Sequence, residues 1–157
     1  MGATKAADRL SRAYKNAKIV PINELSRIAF LSDAHRGDSS LADEFTQNEN
    51  IFLYAMDYYY RNGYTYMELG DGDELWEHAK FRHIRLAHYQ TFQALKKFFD
   101  DGRLYLLYGN HNVAMKNKQF VRNNLYQYFD DYYQEKRDLF PNIIVYESIV
   151  LSHQKTG

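Results

Sequence analysis

Residues 64–74 read YTYMELGDGDE, an apolar run that ends in glycines and acidic residues. The run has the length of a buried strand, and the Gly70-Asp71 step allows the backbone to turn sharply where such a strand ends. Segments with helical spacing of apolar residues precede and follow it. This alternation predicts a strand of a parallel sheet whose carboxyl end carries a polar cluster.

The same pattern occurs on both sides of this stretch. Residues 27–32 (RIAFLS) lead into Asp33, and residues 103–108 (RLYLLY) lead into Gly109-Asn110-His111. Apolar residues recur at helical spacing over 51–59 and again over 81–99, and Asn62-Gly63 and Asp101-Gly102 supply the stop signals. We therefore predict two crossover helices and an α/β fold with a layered sheet flanked by helices.

The two ends of the chain are less regular. Residues 1–25 predict a polar, partly helical lead-in that is broken at Pro21, and residues 26–157 predict one domain or part of one. Helical spacing predicts a third helix over 116–136, and Pro141 precedes a β-rich run at 143–151. No function is assigned to the lead-in.

Composition removes several classes of function. The chain has 157 residues, no cysteine, and equal numbers of basic and acidic residues, 20 of each. Disulfides and thiolate metal sites are therefore excluded, and no positive field indicates a nucleic-acid partner. No apolar run approaches the roughly 18 residues of a membrane span, so we expect a soluble, cytoplasmic protein. Oligomeric state is left open.

Each polar cluster has an ordinary interpretation when it is taken alone. Asp33 and His35 fit a turn-capping aspartate beside a surface histidine, and an Asn-His pair after a glycine fits a simple turn. Asp71 leaves its strand directly, so its two oxygens could bridge two cations. For Asp73 and Glu74 we favour an acidic loop that caps the next helix.

The three clusters taken together read D-x-H, G-D-x-x-E and G-N-H, in this order and at predicted strand ends. As a set they resemble the calcineurin-like metallophosphoesterases, and residues 69–76 also resemble the bacterial branch that includes UDP-2,3-diacylglucosamine hydrolases. The resemblance implies a metallophosphoesterase-type layered sheet. It also implies a role for each matching residue: Asp33 and His35 bind one metal ion, Asp71 bridges two ions, Asn110 binds the second ion, and His111 is the catalytic residue that faces the substrate phosphate.

The function implied by the resemblance is hydrolysis of a phosphomonoester or phosphodiester by a hydroxide that two divalent ions activate. A mixed oxygen and nitrogen shell suits manganese, iron or zinc, of which manganese is favoured. His111 would stabilise developing charge or protonate the leaving oxygen. Arg36 is the candidate for binding substrate phosphate, because guanidinium matches phosphate geometry. The expected substrate is a phosphorylated small molecule or a nucleotide-like compound.

Two features depart from the family pattern. Asn112 stands where the family usually has an acid that orients the preceding histidine. The later histidines that complete both metal shells are also missing. His153 is a candidate for one of them, but we favour a hairpin turn at residues 152–157. We then expect the true ligand beyond Gly157 and the chain to be an N-terminal portion of the domain.

The alternative is a non-catalytic α/β binding or scaffold module derived from the same fold. A dinucleotide or P-loop fold is excluded, because neither G-x-G-x-x-G nor G-x-x-x-x-G-K-[ST] follows any predicted strand. Among the remaining polar residues, His88 is interpreted as packed at the core edge, and His78 and Arg82 as solvated.

Overall fold

The structure is a computed structural model that describes residues 2–155. Short 3-10 helices span Glu44–Gln47 and Val113–Lys116. The longer elements follow in chain order: α1 (Gly2–Lys15), β1 (Lys18–Ile22), β2 (Ile28–Leu31), α2 (Glu49–Arg61), β3 (Thr65–Leu69), α3 (Phe81–Ala87), α4 (Tyr89–Asp100), β4 (Leu104–Leu107), α5 (Lys118–Leu125), β5 (Gln127–Asp130), β6 (Glu135–Asp138), β7 (Val145–Tyr146) and β8 (Ile149–His153).

A four-stranded parallel sheet in the order β2-β3-β4-β7 forms the centre of the fold. Ala29 lies opposite Tyr66, and Tyr66 lies opposite Leu104. The three predicted strands and the parallel α/β class are confirmed. Because the strands are parallel, the residues that follow β2, β3 and β4 all emerge at the same edge of the sheet.

The main core lies between this sheet and the helices. Met56, Tyr66, Leu95 and Phe98 have no exposed surface there, and they come from α2, β3 and α4. Burying a large apolar side chain contributes about 1.5–3 kcal/mol, so these contacts fix the helices on the sheet. The strand ends are therefore held on a rigid layer.

The lead-in contains a strand that the sequence analysis missed. β1 pairs in parallel with β8 over the register Lys18–Ile149 to Ile22–His153, and Val20 is buried. Pro21 lies inside β1 instead of interrupting the chain. Proline is tolerated in a two-stranded sheet because an edge strand leaves half of its N–H groups without a ladder partner.

Two helix predictions need correction. The segment 81–99 is divided into α3 and α4 at His88, whose ψ of 41° is not helical. The segment predicted as a helix over 116–136 is helical only to Leu125, and residues 127–138 form the antiparallel pair β5–β6. Tyr128 and Phe129 favour a strand, and Asp130 accepts hydrogen bonds from the N–H groups of the turn that follows.

The β-rich run at 143–151 is likewise divided. β7 joins the central sheet, whereas β8 joins β1. Between residues 2 and 155, no helix combines the length and the apolar character needed to cross a membrane.

Candidate metal centre

The loops after β2 and β3 continue side by side beyond the sheet. The N–H of His35 donates to the carbonyl of Asp71 at 2.9 Å, and the N–H of Glu74 donates to the carbonyl of Arg36 at 2.9 Å. Arg36 and Asp73 form a parallel bridge. This pairing places the first predicted cluster directly beside the second.

Three residues of these loops have left-handed backbone conformations. The φ angles are 55° at Asp33, 49° at His35 and 51° at Asp71. This region costs an L-residue about 1–2 kcal/mol, although aspartate and histidine tolerate it better than most. Conformations of this kind persist where the surroundings impose them, and they cluster at functional sites. Here they turn the three side chains towards one another.

Asp33, His35 and Asp71 form the first group of candidate ligands. One ligand atom of each lies within 4.8 Å of the others. The Nε2 atom of His35 is 3.7 Å from Oδ1 of Asp33, and the Asp33 side chain is 67% exposed. Two carboxylates and an imidazole suit a divalent ion such as manganese, iron or zinc. These three residues could therefore hold a divalent cation.

Glu74 lies between the two histidines of the site. Its Oε2 atom is 2.9 Å from Nδ1 of His35 and 2.6 Å from Nδ1 of His111. Burial raises the pKa of Glu74, but the bonds to His35 and His111 outweigh burial and lower it below its ordinary value. An ionised carboxylate only accepts hydrogen bonds, so Nδ1 is the atom through which each imidazole donates to Glu74. This arrangement is typical of carboxylates that orient metal-binding histidines.

The loop after β4 is fastened to the other two by backbone and amide contacts. The N–H of His111 donates to Oδ1 of Asp71 at 2.7 Å. The buried Asn112 side chain accepts from the N–H of Gly109 at 2.6 Å and of Asp71 at 3.4 Å. The Asn112 side chain therefore links the loops after β3 and β4, and no hydrogen bond from it reaches the His111 imidazole among the described residues. That imidazole is bonded to Glu74 instead.

A glycine is required where the two loops meet. A Cβ atom on Gly109 would lie 2.4 Å from Oδ1 of Asp71. On the other side of the contact, Gly70 has φ of 105°, and a Cβ there would lie 3.1 Å from the N atom of Gly109. The close approach of these backbones lets the Asp71 carboxylate reach the centre of the site.

Arg36 is buried and paired with two carboxylates, whereas the sequence analysis predicted that it contacts substrate phosphate. Its guanidinium is 1% exposed and donates two bonds to Glu68 and one to Asp73, each at 2.8 Å. Burial disfavours its charge, but Asp73 and Glu68 more than compensate and raise the pKa of Arg36 well above its ordinary value. Arg36 therefore lies in the core, whereas its neighbour His35 faces the other candidate ligands.

Glu74 has a second role that the sequence analysis did not predict. It does cap the following turn, because its Oε1 accepts from the N–H groups of Trp76 and Glu77. Its other oxygen faces the histidines. The G-D-x-x-E spacing does mark Glu74, but a glutamate at this position fits a helix cap and a histidine partner equally well. The sequence alone therefore does not distinguish the two roles. Asp73, interpreted with Glu74 as a cap, pairs with Arg36 instead.

The remaining candidates lie around or away from this centre. Asn110 is exposed in the loop beside His111, and its part in holding a second ion stays a prediction. A second group whose ligand atoms lie within 4.8 Å of one another is His35, Glu74 and His111. Among the described residues, His153 belongs to neither group and accepts a bond from the N–H of Lys155. His78 pairs with Asp38, and Arg82 pairs with Asp131. The exposed Trp76 ring lies 4.3 Å from the ring of His111 and forms one wall of the site.

The sequence matches no family model, no curated protein and no solved structure. Function is therefore argued from the residues of the site.

Proposed function

We propose that this chain carries the metal centre of a phosphoric ester hydrolase of the calcineurin-like type. The observation that supports the proposal is the convergence of Asp33, His35, Asp71, Glu74 and His111 at the carboxyl ends of three adjacent parallel strands. Ligands bind at this edge in open α/β sheets. The expected substrate is a phosphomonoester or phosphodiester of a small, nucleotide-like molecule.

Some residues of the site would bind cations, and His111 would donate a proton. Asp33, His35 and Asp71 would hold the first ion, and Asp71 with Asn110 would hold the second. Divalent cations supply Lewis-acid polarisation of a phosphoryl oxygen and generate hydroxide from water near neutral pH. No arginine or lysine forms an ion pair with Asp33, Asp71 or Glu74 within the part of the chain that the structure describes, which leaves these carboxylates for cations.

His111 is the proposed acid at the leaving group. Its backbone N–H is fixed by Asp71, and its Nδ1 by Glu74, so the imidazole presents Nε2 away from both carboxylates. A proton on that atom would stabilise or neutralise the departing oxygen. The Trp76 ring restricts the movement of the imidazole on one face. The site thus orients the acid before substrate arrives.

The experiment that tests the proposal is calorimetric titration of Mn²⁺ into the metal-stripped protein. We expect saturable binding by the wild type and a loss of at least about 100-fold in affinity for Asp71→Asn, because second-shell changes alone cost 10–100-fold. Asp57→Asn is the matched control, since Asp57 is exposed on α2 and pairs only with Arg61 among the described residues. Equal binding by all three proteins would refute the metal centre.

Hydrolysis is measured separately with p-nitrophenyl phosphate and bis-p-nitrophenyl phosphate in the presence of Mn²⁺. Turnover that disappears in both Asp71→Asn and His111→Gln supports the esterase. Saturable Mn²⁺ binding without turnover of either ester would instead favour the non-catalytic binding module. The two results separate metal binding from catalysis.

A further inference from the structure

A second buried arginine, Arg85, lies between α3 and the β5–β6 pair. It is 3% exposed, and its guanidinium carbon lies 4.1 Å from the centre of the Tyr128 ring. Within residues 2–155 the guanidinium makes no hydrogen bond and no ion pair to a carboxylate. Arg36 is equally buried but has three charged bonds. Arg36 therefore donates hydrogen bonds to carboxylates, whereas Arg85 contacts an aromatic ring.

The Arg85 side chain keeps only a small accessible surface and has no hydrogen-bond acceptor among the described residues, and its nitrogen atoms are not fully enclosed. It carries five N–H donors, and a cation–π contact with Tyr128 satisfies none of them in the plane of the group. Burial lowers the pKa of Arg85, and the attraction of Tyr128 and of Asp131 offsets this only in part. Buried charges are ordinarily paired, so the missing acceptor calls for a physical explanation.

Arg85 lines two neighbouring cavities, of about 340 and 350 Å³. The first is lined also by Arg82 and by the side-chain amides of Asn123 and Gln127. Asp131, the one acid on its wall, is paired with Arg82 at 3.1 Å. Arg82 and Asp131 offset each other, so among the described residues Arg85 is the cation of this cavity that has no carboxylate partner. The second cavity is lined also by Asp130 and Asp131, and Asp130 lies 3.6 Å from Nε of Arg137. None of these residues belongs to the candidate metal centre.

We propose that Arg85 anchors a binding site for an oxyanion, such as the phosphate or carboxylate group of a small ligand, in the cavity between α3 and β5–β6. A guanidinium binds such groups through two parallel hydrogen bonds, and Tyr128 holds its plane in place. Asn123 and Gln127 line the cavity with side-chain amides, of which Nε2 of Gln127 already donates one bond to Asp138 at 2.8 Å. Arg82 adds a second guanidinium, which it shares with Asp131. The site is independent of the proposed esterase, and either can fail without the other.

The test is a titration of inorganic phosphate into the metal-stripped Asp71→Asn protein, so that the proposed metal centre cannot contribute. Arginine Nε–H and side-chain amide signals are followed by NMR at constant ionic strength. We expect saturable shifts of the Arg85 and Gln127 signals, with those of Arg36 and Arg61 unchanged. Shifts at Arg85 that stay linear in phosphate, or match those at Arg61, would overturn the site.

Acetate and sulfate titrations identify the chemical source of the anion. A response to phosphate and sulfate at concentrations at least tenfold below acetate assigns the site to a phosphate group, and the reverse assigns it to a carboxylate. Either result supports an oxyanion site. Saturation by none of the three anions contradicts it.

Substitution gives a second measurement. Arg85→Met should keep its urea midpoint without phosphate, because replacing a buried charge by an apolar side chain is often neutral or stabilising. It should lose the increase in midpoint that phosphate gives the wild type, whereas the control Arg61→Met should keep that increase. If Arg85→Met does not fold, Arg85→Lys is used, with at least a tenfold loss of phosphate affinity expected. Unchanged phosphate affinity in the variant that folds would overturn the proposal.

Discussion

Neighbouring residues of the same two loops build two clusters of opposite character. Arg36 and Asp73 point inward and join Glu68 in a buried ion network, whereas His35 and Glu74 point outward and meet His111. The side chains of adjacent residues thus diverge, and one pair of loops carries both clusters. The inner cluster fixes the loops by satisfying its charges, and the outer cluster leaves carboxylates and imidazole nitrogens for a ligand.

The largest effect is expected from breaking the inner cluster. Arg36→Met leaves Glu68 and Asp73 buried without their cation, which typically costs 3–5 kcal/mol. The free energy of unfolding from urea denaturation should fall by about that amount without any metal present. Adding Glu68→Gln and Asp73→Asn should restore most of the loss, because the uncompensated charges are then removed. A loss below about 1 kcal/mol for Arg36→Met alone would show that the network is not structural.

The contact between the loops gives the next largest effect. Gly109→Ala places a methyl group against the Asp71 carboxylate and should lower Mn²⁺ affinity by at least about tenfold, with a loss of about 1–3 kcal/mol in stability from overpacking. Gly63→Ala is the control, since φ is 74° there but a Cβ meets no atom within 4 Å. It should cost about 1–2 kcal/mol of stability and leave Mn²⁺ affinity unchanged. If both variants lost Mn²⁺ affinity, the loss in Gly109→Ala would be explained by destabilisation alone.

A substitution in the outer cluster should lower metal affinity and leave stability nearly unchanged, whereas one in the inner cluster should mainly lower stability. Glu74→Gln removes the charge that holds both histidines and should lower Mn²⁺ affinity about 10–100-fold, as second-shell changes do. Stability should change by less than about 1 kcal/mol, because the amide still accepts the N–H bonds of the turn. Glu77→Gln, an exposed neighbour, is the control. A large loss of stability for Glu74→Gln without loss of metal affinity would make Glu74 a purely structural cap.

The difference between the inner and outer clusters also shows which features the sequence could predict and which it could not. Three strands, the helix α2 and the meeting of the clusters at one edge followed from periodicity, since each depends on local pattern and on parallel pairing. The inward direction of Arg36 did not follow, because it depends on Glu68, which lies 32 residues away. An acidic or basic residue just beyond a strand has the same local signature whether it faces the core or solvent.

Local pattern failed in the same way elsewhere. Residues 116–136 have helical spacing, yet the chain leaves the helix at Leu125, where Leu139 and Phe140 form backbone bonds to Tyr126 and Leu125. These contacts come from distant residues and override the spacing. His88 similarly interrupts a helix whose apolar stripe continues on both sides. In each instance a tertiary contact decided between two structures that the local sequence allows.

The smallest effect is expected from Asp43→Asn. This substitution tests whether a carboxylate paired with histidine can stabilise the fold without affecting metal binding. Asp43 and His88 form a fully buried pair, with Oδ2 and Nε2 2.7 Å apart. Burial raises the pKa of Asp43, but the N–H of Ser39 and the imidazole of His88 outweigh burial and lower it. Asp43→Asn should therefore cost about 1–2 kcal/mol of stability at neutral pH and leave Mn²⁺ affinity unchanged.

The pH dependence of that cost follows from the sign of the shift. A lowered folded-state pKa gives stability that is present above the unfolded value of about 3.9 and is lost as the pH falls through the folded value. The difference in unfolding free energy between wild type and Asp43→Asn should thus shrink below about pH 3.9, as measured by urea denaturation across that range. A difference that stays constant with pH would mean that Asp43 stabilises as a hydrogen-bond acceptor and not through its charge. The buried pair would then differ from Glu74, whose predicted effect depends on the charge of a carboxylate that contacts two imidazoles.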